Sequence, residues 1–148
     1  MVCRKNSLFI YTYLNWLENE FIRKKGKIAK SIMPKLIALI SKKSSISEED
    51  FKTYYEKNHA PLIESLFPTL DGYTRTYLFE SNSLSDALPL ESAGAQSQFN
   101  VITELTFKIE EDLNQFFERG AHQEVIEIIR KDEANFLDGE KTIMYRVE

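Results

Sequence analysis

The sequence predicts an α+β domain whose elements run β-α-β-β-α-β. Three observations carry this. Short stretches rich in β-branched and aromatic residues recur between residue 35 and the C-terminal end. The segments after the first and third of them place apolar residues at helical spacing. A length of 148 residues suits one domain of ordinary globular composition, with 43% hydrophobic and 28% charged residues.

The elements follow in order. "KLIALIS" (35–41) is a strand, apolar on both faces. Ser45 or Ser47 is placed to cap the next helix, with Glu48, Glu49 and Asp50 in its first turn, where negative charge meets the positive end of the helix dipole. Phe51, Tyr55, His59, Leu62 and Leu66 then share one helical face. Pro61 lacks an N–H and clashes with the carbonyl four residues back, so the helix kinks or restarts there, with Asn58 or His59 at the junction. "GYTRTYLFE" (72–80) is the second strand. Residues 81–98 are polar and without periodicity, either a lid or an excursion. "FNVITELTFKI" (99–109) is the third strand. Leu113, Phe116 and Phe117 begin a second helix, Gly120 marks an interruption, and Val125, Ile126, Ile128 and Ile129 continue it. Asp138–Gly139 turns the chain into a last strand within "LDGEKTIMYRVE".

This order is the ferredoxin-like split unit, a four-stranded antiparallel sheet with both helices on one face. In the first strand Leu36, Ala38 and Ile40 point one way, and Ile37 and Leu39 the other. In the third, Phe99, Val101, Leu105 and Phe107 oppose Ile102 and Glu104. A monomer leaves one partly apolar face in water. Burial at roughly 25 cal/mol per Å² favours covering it with a second copy, a homodimer through sheet faces or edges. The ligand cavity is then expected between sheet and helices, or between the two sheets.

Composition removes several function classes. Cys3 is the only cysteine, which excludes an intrachain disulfide and a cysteine metal site. With His59 and His122 the only histidines, a multi-histidine metal site is excluded too; no metal and no cofactor is expected. Neither a phosphate-binding glycine loop nor G-x-S-x-G is present. No window approaches the roughly 20 apolar residues of a membrane span. Residues 1–32 carry seven Lys/Arg and two Glu, a net of +5, whereas 33–148 carry twelve and twenty-one, a net of −9. An acidic domain without a basic face argues against nucleic acid as partner. The basic stretch is an extension outside the domain of 33–148. It reads as a leader that is not native, as a mitochondrial presequence, against which Glu18 and Glu20 count, or as sequence ahead of a true start at Met33. Without such a presequence the expected compartment is the cytoplasm.

One stretch is more specific. "ISEEDFKTYYEKNHAPLIESL" resembles the signature of the EthD-like family of dimeric α+β barrel proteins, an F-x-x-Y/H-x-x-x-H-A-P-L pattern after the first strand. The match runs through Phe51, Tyr54 or Tyr55, His59, Ala60, Pro61 and Leu62. A weaker match is "KDEANFLD" (131–138) before the final strand. The resemblance spans about 34–148. It implies small proteins that include accessory proteins of ether degradation and fungal polyketide-tailoring enzymes. Related barrels include cofactor-free monooxygenases of aromatic polyketides. Oxidation, decarboxylation and dehydration, that is oxidoreductase or lyase chemistry, are all attached to this architecture, so fold does not select the reaction.

Two function classes follow. One is a cofactor-free enzyme acting on an apolar aromatic or carbonyl-bearing metabolite. The other is a non-catalytic dimeric protein that binds such a molecule. His59 is the candidate acid/base, because an imidazole titrates near neutral pH; its bland role is to satisfy a backbone carbonyl at the kink. Phe51, Tyr54, Tyr55, Arg75, Tyr77 and Glu104 are the candidate substrate-binding residues. Tyr73 and Tyr145 are further hydroxyls, although buried tyrosines mostly serve packing. Asp132, Glu133 and Asp138 read as turn and cap contacts at the last crossover. His122 reads as a surface or capping residue.

Overall fold

The computed structural model describes residues 33–78 and 98–147. The basic extension 1–32 and nearly all of segment 81–98 lie outside the described residues. Strand β1 spans Lys35–Ile40 and helix α1 Glu48–Tyr54. Ser47 is the cap of α1: its hydroxyl accepts the Asp50 N–H at 3.0 Å, with Glu48, Glu49 and Asp50 in the first turn. The chain then widens into a π turn, Tyr55–His59, before resuming as α2, Ala60–Leu66. Pro61 explains the widening. An α turn would press its ring on the carbonyl four residues back. Instead the Ala60 N–H reaches the Tyr55 carbonyl five residues back. His59 stands at the junction, and the helical path continues through it without a break.

Strand β2 spans Gly72–Tyr77 and β3 Val101–Thr106. Helix α3, Glu110–Gly120, and helix α4, Gln123–Glu133, are one amphipathic layer interrupted directly after Gly120. His122 is exposed at the N-cap of α4, with no capping bond from its side chain. Strand β4 spans Ile143–Val147. The antiparallel sheet has the order β2-β3-β1-β4, so each helical crossover skips a strand, as the β-α-β-β-α-β pattern requires. Among the described residues no helix is long and apolar enough to cross a membrane.

Strand alternation sets the two faces. Leu36, Ala38, Ile40, Val101, Thr103 and Leu105 are buried under the helices, in register Leu36↔Leu105 and Ile40↔Val101. Two clusters fill that layer. One packs Leu36, Leu105 and Phe107 against Ile63, Phe116 and Ile129. The other packs Ala38, Ile40 and Val101 against Phe51, Tyr55 and Phe136. The second is aromatic and has buried polar groups beside it, His59 and Thr103. The opposite face carries Ile37, Leu39, Ile102, Ile143, Tyr145 and Val147, with Tyr145 51% exposed.

Candidate functional site

The polar groups beside the aromatic cluster form two networks. The first is built by the π turn and the end of α4. Backbone bonds from the Lys43 N–H to the Phe136 carbonyl (2.9 Å) and from the Asp138 N–H to the Ser41 carbonyl (2.8 Å) tie residues 136–138 to the exit of β1. Asp132 and Phe136, four apart, lie on one face of that segment and meet the π turn. His59 Nδ1 lies 2.6 Å from Asp132 Oδ2. The Tyr54 hydroxyl donates to Asp132 Oδ1 at 3.0 Å, and the Asn135 amide donates to the Tyr54 oxygen at 2.9 Å. The imidazole is 4% exposed and wedged between Tyr55 (4.9 Å between ring centres) and Phe136 (5.0 Å).

An ionised carboxylate accepts only, so it fixes the neutral ring as the Nδ1–H tautomer, with the lone pair on Nε2. The same carboxylate stabilises the imidazolium once Nε2 has taken a proton. Burial and the bond to Asp132 raise the Tyr54 phenol, which keeps it a donor.

The second network joins the π turn to β2 and β3. The Tyr55 hydroxyl lies 2.8 Å from Thr103 Oγ1 and 3.2 Å from the Tyr73 hydroxyl. Arg75 donates a two-pronged pair to Glu56, Nε to Oε1 at 3.0 Å and a terminal NH to Oε2 at 3.1 Å. Its other terminal NH donates to the Tyr73 carbonyl, and the guanidinium covers the Tyr73 ring. The Tyr77 hydroxyl donates to Glu56 as well, at 2.8 Å. Burial works to raise the Glu56 carboxyl, but the bonds from Arg75 and Tyr77 hold it below its ordinary value. The Tyr77 phenol is pushed up by burial and by Glu56.

Of the sequence candidates, the helical layer brings together Phe51, Tyr54, Tyr55, His59, Arg75 and Tyr77. Glu104 stands apart. It pairs with Lys35 at 3.5 Å on the opposite face of the sheet, out of reach of His59. Asp138 does make a turn contact, accepting the Glu140 N–H. Asp132 is turned instead onto His59, and sequence reasoning missed it. The available signal was "KDEANFLD", the second stretch of the family resemblance, which carries both Asp132 and Phe136. Among the described residues no three His, Cys, Asp or Glu side chains gather so as to hold a metal ion.

Comparison with known proteins fits this layout. The sequence matches the EthD domain over residues 43–140, a span that holds both networks. Among solved structures, an EthD family protein of Bacillus halodurans aligns at 24% identity and a TM-score of 0.54, covering 79% of this chain and 98% of that one. A protein of Arabidopsis thaliana aligns at 16% identity and a TM-score of 0.52, covering 78% and 93%. An EthD-like protein of Ralstonia eutropha gives 16% and 0.51, covering 78% and 90%. Likeness at these identities carries the fold and not the activity. Among curated proteins none matches.

Proposed function

Since the chain belongs to the EthD family, we propose that it is a small cofactor-free enzyme acting on an apolar aromatic or carbonyl-bearing metabolite, with His59 as acid/base. One observation carries this reading: the 2.6 Å contact between His59 Nδ1 and Asp132, inside an aromatic layer. Asp132 orients the ring, and Nε2 removes a proton from carbon next to a carbonyl. The electron pair moves into the enolate, and the imidazolium later returns the proton. Dehydration and oxidation by dioxygen both start from such a carbanion; decarboxylation ends by protonating one.

A panel of anthrones, β-hydroxyketones and β-keto acids tests the reading, with oxygen uptake, water loss and CO₂ release as readouts. At least one class should turn over. His59→Gln should lower turnover by roughly 10²–10⁴ with the fold intact. Asp132→Asn should lower it too, because an amide that donates to Nδ1 puts the proton on Nε2 and removes the base. Full turnover in His59→Gln contradicts the reading. Binding without turnover across the panel favours the second one, a dimeric ligand-binding or accessory protein, which the depth of His59 also fits.

The proposal includes a second copy of the chain as partner. The face of the sheet that no described helix covers presents Ile37, Leu39, Ile102, Ile143 and Tyr145 as a contiguous patch, and patches of this kind are commonly interaction surfaces.

A further inference from the structure

A cleft of about 240 Å³ opens between the end of α2 and the C-terminal half of α3, and it shares no residue with either network. Phe67, Pro68 and Thr69 form one wall. Gln115, Arg119 and His122, four and three residues apart, run along the other, on one side of the α3–α4 layer. The buried rings of Phe67 and Phe116, 4.3 Å between centres, make the base apolar.

The polar groups around this base are donors in search of an acceptor. Arg119 Nε donates to the Leu66 carbonyl, one of the end carbonyls of α2, and this ties the guanidinium to the cleft. Its terminal NH groups meet no acceptor among the described residues. The His122 imidazole is exposed and makes no capping bond to α4. The Thr69 hydroxyl is shut away from water, and among the described residues it has no partner. A buried hydroxyl left unpaired is costly, so an acceptor brought into the cleft is favoured. Glu118 is the one acid among the lining residues.

We propose that this cleft binds a small monocarboxylate with a short apolar body. The free NH groups of Arg119 form a planar fork that matches the two carboxylate oxygens, and the His122 ring stands beside them. Thr69, turned to another staggered side-chain position, donates its hydroxyl proton to the same group. The apolar body lies on Pro68 and the edges of Phe67 and Phe116. Glu118 sets the limit on charge. It opposes a dianion twice as strongly as a monoanion, because Coulomb energy follows the product of the charges. The site goes beyond the acid/base reading and stands or falls apart from it.

NMR titration of the full chain with hexanoate, 1-hexanol and inorganic phosphate tests the proposal, at fixed neutral pH and fixed ionic strength. The chain has two histidines, so His122 reports on the cleft and His59 serves as the internal control. Hexanoate should shift the His122 ring resonances saturably and leave those of His59 in place. It should bind about tenfold more tightly than hexanol, the worth of a charge-assisted bond over a neutral one, and more tightly than phosphate. Arg119→Gln, at an exposed position, should remove most of that advantage. Thr69→Val keeps the branched shape and deletes the unpaired hydroxyl. It should weaken hexanoate binding several-fold while thermal stability holds or rises. Glu118→Gln should bring phosphate affinity up towards that of hexanoate. A His122 response that never saturates, equal binding of hexanol, tighter binding of phosphate in the parent, or unchanged hexanoate affinity in Arg119→Gln or Thr69→Val overturns the proposal.

Discussion

At the scale of the residue, Tyr55 must hold its proton. Burial pushes its phenol up to about 12, with the bonds to Thr103 and Tyr73 acting the other way. The unfolded chain ionises near 10. A raised folded value means that this contribution to stability is fully present below pH 10 and is lost as pH rises through 12. Two pK units correspond to about 3 kcal/mol, of which roughly half is lost by pH 11. Tyr55→Phe should therefore lose less stability than the parent between pH 8 and pH 11, measured by urea unfolding. Tyr73, raised as well, keeps some slope in the variant. An equal alkaline loss in parent and variant would show that Tyr55 ionises in the folded protein as it does in water. His59 was legible at this scale, since an imidazole on an apolar helical face beside a proline stands out. Asp132 was not, because an acid near a helix end has several ordinary uses and only tertiary structure selects one.

At the scale of the element, the π turn decides where His59 points. The apolar spacing from Phe51 to Leu66 made the helix legible, and Pro61 made its irregularity legible. The form of that irregularity was not. A missing N–H permits a kink, a break or a widened turn. Which one forms depends on what packs against it, and here Tyr55 and His59 both face the aromatic cluster around Phe136. The Gly120 interruption was legible for the complementary reason, a residue with no side chain between two apolar runs. Glu104 shows the limit of strand alternation. The pattern separates Val101 and Leu105 from Ile102 and Glu104, but both sets contain apolar residues. Which set the helices cover follows only once α3 and α4 are laid on the sheet.

At the scale of the whole molecule, one face of the sheet is covered by helices, and among the described residues no helix covers the other. Covering that second face is favourable, since each Å² of apolar surface removed from water is worth roughly 25 cal/mol. A second copy laid on it should give a particle of about twice the 17.3 kDa chain mass in light scattering at micromolar concentration. Ile102→Arg should return it to the monomer. A monomer in the parent chain would contradict the pairing and leave the patch to another partner. On the helical face the π turn, the aromatic layer and the last crossover meet at the His59–Asp132 contact, where we propose that the chemistry takes place. The most direct test of that claim is a ¹⁵N measurement of the imidazole at a pH where the ring is neutral. Our account requires the proton on Nδ1 and a bare Nε2, with the tautomer reversed in Asp132→Asn. A proton on Nε2 in the parent, or a tautomer indifferent to Asp132→Asn, would contradict it.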